Sequence, residues 1–246
     1  MTVTYQVLNI SDGGGSGSEN LLINPRGKIN QANESDGVLS AGQYFCDGWK
    51  AGAAGAEVYR DADGFRLISG SILQLVPNNL DAGRPIKGNL DVISGTPTIR
   101  INGGTSSEVS NDQAHITFEV VGNNSKFTRL ILAESEDLPI YQQISDELTP
   151  CMAFYEVLPS MCDTRNTVAT TNTFKFCVTL FFKVRKWAEP AVMAVGVSTS
   201  FSHVAFAVHG DGNRRDGVIF GALSGSTGES ERSHIYVSHF IADARL

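Results

Sequence analysis

Residues 115–132 read HITFEVVGNNSKFTRLIL: two strand-like runs, His115 to Val121 and Phe127 to Leu132, parted by Gly122-Asn123-Asn124. A glycine followed by two asparagines interrupts a hydrogen-bonded ladder and supplies the backbone freedom a turn needs. The same wording repeats on the N-terminal side. Tyr44 to Lys50, Glu57 to Arg60, Phe65 to Ile68, Ile72 to Val76, Asn89 to Ile93 and Thr98 to Asn102 all read as strands. Breaks fall at Gly52, Gly55, Gly64, Pro77-Asn78-Asn79, Gly83, Gly95, Pro97 and Gly103-Gly104. Regular spacing with antiparallel-style turns predicts a sandwich, and eight such strands fit a jelly roll, in which two packed sheets share one core.

One helix is predicted after this run. Thr149 is placed to cap it, and Pro150 at its first position loses no helical hydrogen bond. Cys151, Phe154, Tyr155 and Leu158 then fall close to helical spacing. A linker rich in Thr, Asn and Ser is expected from Pro159 to Thr173, and β structure resumes at Phe174 to Val184, Ala191 to Ser198, His203 to Val208, Val218 to Leu223 and His234 to Ala242. The expected fold is all-β: a jelly-roll sandwich over 19–142, helix and linker over 143–172, and a smaller antiparallel β domain over 173–246. A β unit that small usually needs a partner surface to be stable, so oligomerisation is expected. Upstream, Val3, Tyr5 and Val7 alternate as in a short strand and Gly13-Gly14-Gly15-Ser16-Gly17-Ser18 forms a flexible tether. Residues 1–18 are either an ordinary loop or a detachable strand that adds to the edge of another protein's sheet.

Composition narrows the function. The 246 residues carry a formal net charge of −7, which argues against a nucleic-acid binder, whose affinity comes from clustered Lys and Arg. No basic patch followed by an apolar run opens the chain, and no apolar stretch has bilayer-crossing length, so cytoplasmic synthesis without membrane insertion is expected. Cys46, Cys151, Cys162 and Cys177 lie far apart, lack zinc-type spacing and read as buried free thiols. No Gly-x-Ser-x-Gly elbow, P-loop, His-Glu-x-x-His or dinucleotide fingerprint occurs, and no enzyme activity or cofactor is expected. His203, His209, His234 and His239 gather in the C-terminal half; His209-Gly-Asp211 reads as a strand end entering a turn, with a metal site or an acid/base pair as its other reading, and the clustered histidines have a metal on a trimer axis as theirs.

The stretch Asn20-Leu21-Leu22-Ile23-Asn24, continuing through Ile29-Asn30-Gln31 to Tyr44, Asp47 and Trp49, resembles the opening of carbohydrate-binding-module-like jelly rolls in bacteriophage tail fibres and related virion appendages. Pro25 and Arg26 stand where that family usually has Gly-Asp, and Gly48 where it has Arg. Further blocks are similar to the family's in the same order: Glu147 to Glu156, Lys183 to Val192 and the terminal Ala242-Asp243-Ala244-Arg245-Leu246. The resemblance implies a non-enzymatic virion fibre or spike subunit, often a homotrimer, that contacts other virion proteins and host-surface polysaccharide. A purely structural capsid, neck or tail decoration is the alternative, and a glycan depolymerase a third. Asn24, Tyr44, Asp47, Trp49, Cys151 and Tyr155 are read as structural. Trp49 is expected to be a core anchor rather than a sugar platform, and Asp47 to hold backbone donors or, alternatively, a structural calcium. Asn213, Arg214, Arg215 and Asp216 form the most polar, basic segment of the C-terminal domain; they are read as a glycan grip through forked arginine hydrogen bonds, or as a solvated hairpin.

Overall fold

The computed structural model describes residues 19–166, 174–199, 204–209, 215–224 and 233–245. Nine strands, β1 (Gly37–Leu39), β2 (Tyr44–Cys46), β3 (Trp49–Asp61), β4 (Gly64–Pro77), β5 (Pro85–Ser94), β6 (Thr98–Ile101), β7 (Ser107–Val109), β8 (His115–Val121) and β9 (Ser125–Glu134), form one hydrogen-bonded antiparallel sheet folded over on itself. β4 pairs with β9 through Phe65–Leu67 and with β8 through Ser71–Pro77. β3 follows it round, meeting the first half of β4 through Ala56–Asp61 and the second half through Lys50 and Ala51.

Both strands bend at glycines of positive φ, Gly55 (80°) and Gly70 (85°). A Cβ on Gly70 would lie 2.4 Å from the Gly55 carbonyl oxygen, so the corner closes only because Gly70 has no side chain, while a Cβ on Gly55 would lie 2.6 Å from the Leu39 carbonyl oxygen of β1. The segment between β8 and β9 crosses at the same place: the Gly122 N–H donates to the Gly70 carbonyl at 3.2 Å and the Asn124 N–H to that of Ile68 at 3.0 Å. Phe65 to Ile68 and Ile72 to Val76, read above as separate strands, are therefore two halves of β4. Gly122-Asn123-Asn124 carries the chain between layers instead of closing a hairpin.

The fold-over puts one layer's aromatics against the other's. Trp49 packs on Phe65 and Phe118 with ring centroids 5.4 and 6.1 Å apart, and Phe65 on Phe127 and Phe45 at 5.9 Å each. All five rings are buried. Rings of this size dominate a core's apolar area, and their edge-to-face and tilted contacts fix how the layers sit.

The helix is shorter than the apolar spacing predicts. α1 covers Leu148–Met152 with Glu147 at the N-cap, and the Asp146 carboxylate, not Thr149, accepts the N–H groups of Leu148 (3.1 Å) and Thr149 (3.0 Å). Tyr155 and Leu158 lie instead in β10 (Tyr155–Asn166), so the expected linker is strand as far as Asn166. Pro159, which has no N–H to give a ladder, stands at the irregularity in its pairing. The remaining strands are β11 (Phe174–Phe181), β12 (Ala191–Val195), β13 (Ser198–Thr199), β14 (Val204–His209), β15 (Gly217–Ser224) and β16 (Ser233–Asp243). β10, β12 and β13 flank β16 in one antiparallel sheet, while β11, β15 and β14 make a second. The architecture is all-β, a jelly-roll-type sandwich followed by a smaller antiparallel domain, with one short helix between them.

Candidate functional site

The motif residues of the sequence meet in one place, the joint between sandwich and C-terminal domain. Asn24 turns the chain at φ 48° and is buried. Its side chain accepts the Ile29 N–H (2.9 Å) and donates to the carbonyls of Ile29 (2.8 Å) and Asp47 (3.0 Å), while its own carbonyl accepts the Trp49 indole N–H at 2.9 Å. Trp49 is thus a core anchor with its polar atom satisfied. The Asp47 carboxylate accepts the backbone N–H of Gln31 at 2.7 Å and its side-chain amide at 2.6 Å; that amide also donates to the Tyr155 carbonyl at 2.7 Å. The neighbours of Asp47 are donors, whereas calcium takes oxygens. Gly48 has φ 79°, and a Cβ there would lie 2.7 Å from Ile23, so the turn needs glycine at this position.

The C-terminal block closes the joint. The Arg245 guanidinium donates to both Asp243 oxygens (3.0 and 2.8 Å) and to Glu34 of the sandwich (2.5 Å). Its central carbon lies 4.6 Å from the ring centroid of Tyr44 and 4.5 Å from that of Tyr155, one ring from each domain. Burial disfavours its charge, but Asp243 and Glu34 outweigh that and hold it above the ordinary arginine range. Burial pushes the Glu34 and Asp47 carboxyls up despite their donors. Cys46 and Cys151 are buried free thiols, also pushed up by burial; the side chains of Cys162 and Cys177 lie outside the described residues.

A second junction lies around Lys186, which the sequence reading overlooked because its neighbours alternate charge and apolarity like any surface turn. The side chain is wholly buried, with the ammonium donating to Glu156 and to the Met152 carbonyl, each at 2.5 Å. Burial pulls its pKa down against the pull of Glu156. Of the proposed glycan grip, Asn213 and Arg214 lie outside the described residues. Arg215 is committed to the fold: it donates to the Lys186 carbonyl at 2.6 Å and sits over the Trp187 ring, which in turn packs edge-on against His115 of the sandwich at 5.8 Å. Asp216 is exposed and 3.8 Å from Arg185.

Two clefts open on the sandwich. One, of about 310 Å³, runs between Leu21–Pro25 and the segment bearing Tyr141, Ile144 and Glu147; Glu147 there accepts Arg26 (2.5 Å) and Tyr141 (3.3 Å). The other, of about 480 Å³, is wide open and lies between β5 and the edge strand β6, with Asn89, Val92, Thr98, Arg100, Ser106 and Leu138 on its walls. Among the described residues no group of three or more His, Cys, Asp or Glu is arranged to hold a metal. No protein-family model, curated protein or solved structure matches the chain.

Proposed function

We propose that the chain is a structural subunit of a bacteriophage appendage, a fibre or spike, that displays a glycan-adhesion surface and acts by binding and assembly rather than catalysis. The observation that supports this best is the joint. Blocks spread from Asn24 to Arg245, the same ones that resemble virion-appendage proteins, come together to fasten the C-terminal domain on the sandwich through buried hydrogen bonds and a stacked arginine. Fixing two small β domains rigidly suits a protein that must hold a surface at a set place and angle. Leu21 fastens to the sandwich by donating its N–H to the Leu132 carbonyl, and residues 1–18 are proposed as the attachment element to another virion protein. The unit is proposed to be a homotrimer.

Screening the purified chain on a glycan array and imaging particles that carry a tagged subunit tests the reading. Selective glycan binding with the tag on a protruding appendage is the expected result. A tag on the particle without any glycan retained would favour a purely structural decoration, and oligosaccharide released from host capsule would turn the reading to a depolymerase.

A further inference from the structure

The geometry points to the open cleft between β5 and β6 as a binding site for an acidic saccharide, with Arg100 gripping the sugar carboxylate; this rests on the adhesive reading above and gives it a place. Six arginines lie between residues 19 and 147, and five of them face a carboxylate: Arg26 meets Glu147 and Asp63, Arg60 Asp36, Arg66 Asp61, Arg84 Glu134 and Arg129 Asp91. Arg100 is the exception, exposed and without a hydrogen bond or ion pair to any described residue. Its cross-strand neighbour Glu119 instead accepts the Ser71 hydroxyl at 2.6 Å. In a chain of net charge −7, an arginine left unpaired among so many acids is a cation available to a ligand.

The walls suit a sugar. Thr98 and Ser106 bring hydroxyls that form no hydrogen bond within the described protein, while Asn89 is held in place by donating to the Pro139 carbonyl at 2.9 Å. Val92 (54% exposed) and Leu138 (64% exposed) offer apolar surface to the flat C–H face of a pyranose. The strand edge adds backbone groups. Ile101 donates its N–H to the Thr105 carbonyl at 2.9 Å, away from β8, so Ile99 two residues earlier turns its N–H and C=O the same way, and β6 pairs with β8 alone. A volume of about 480 Å³ accepts a short saccharide, and the fork of a guanidinium matches a carboxylate.

Calorimetric titration of the full chain with trigalacturonate and with its neutral methyl ester tests the assignment. The acid is expected to bind and the ester to bind at least about tenfold more weakly, with Arg100→Ala losing about tenfold or more at unchanged melting temperature and Arg100→Lys falling between. Thr98→Trp, which fills the cleft while keeping the arginine, is expected to lose binding as well. Equal affinity for acid and ester, wild-type affinity in Arg100→Ala, or no binding of trigalacturonate overturns the inference. Retention of glycan-array binding by Arg100→Ala would overturn this site alone, whereas an array blank for the wild type would overturn the adhesive reading with it.

Discussion

Asn24 and Asp47 show why polar residues are placed in an otherwise apolar joint. Each completes the hydrogen bonding of backbone groups that the turn between residues 24 and 31 removes from water. Asp47→Asn keeps the shape but points an N–H₂ at the Gln31 donors, so a buried donor loses its acceptor. A loss of about 1–3 kcal/mol in unfolding free energy is expected in urea titrations. Acid behaviour gives a second check. Burial raises the Glu34 carboxyl above its ordinary range, so between its unfolded and folded pKa values the folded state binds more protons than the unfolded one. Stability from this group therefore falls as pH rises through that window and is recovered as pH falls. Compared with Glu34→Gln, the wild type is expected to gain stability between about pH 7 and about pH 4, where unperturbed carboxylates titrate; parallel urea midpoints across that range would show the linkage to be absent.

At the scale of elements, the buried Lys186 and Glu156 hold α1, β10 and the turn after β11 together. Two charges out of water are costly separately and tolerable as a pair. Lys186→Met is expected to cost about 3–5 kcal/mol because it strands the Glu156 charge, and adding Glu156→Met is expected to restore most of the loss. Thermal melts of the single and double variants measure the difference. None of this could be read from the sequence, since Glu156 and Lys186 are thirty positions apart and each looks like a surface charge. The strands themselves were legible, because alternation and glycine punctuation are local. What escaped was where strands bend instead of ending: Gly55 reads as a break and Gly70 falls in the gap between two runs read as separate strands, yet only the facing strand reveals them as one corner. The helix was overextended for a related reason. Cys151, Tyr155 and Leu158 satisfy a helical period, but β16 offers the backbone of Tyr155 onward a ladder that outcompetes it. Arg100 was passed over because an isolated arginine in a strand has no signal until its neighbours' partners are known.

For the molecule as a whole, the C-terminal domain leaves apolar surface that a lone chain seldom tolerates. Leu180 and Val218, paired across β11 and β15, are buried on one face. On the other, Phe181 is 77% exposed and Ile219 40% exposed, with Thr179 directly opposite Ile219. In the sheet built on β16, Met193 (52%) and Tyr236 (36%) are also exposed. Apolar side chains exposed side by side on one sheet face, as Phe181 and Ile219 are, mark a contact surface, and a fully buried Phe contributes roughly 1.5–3 kcal/mol. A homotrimer joined here would cover the patch in three copies and present three open clefts in fixed array, so that weak single sites add up on a repetitive polysaccharide. Light scattering at micromolar concentration is expected to give three times the 26.4 kDa chain mass. Phe181→Asp places a charge in each interface without disturbing the Leu180 face, and is expected to yield a soluble monomer with a lower melting temperature. A monomeric wild type, with Phe181→Asp equally stable, would remove the case for a trimer and leave the exposed phenylalanine to some other partner.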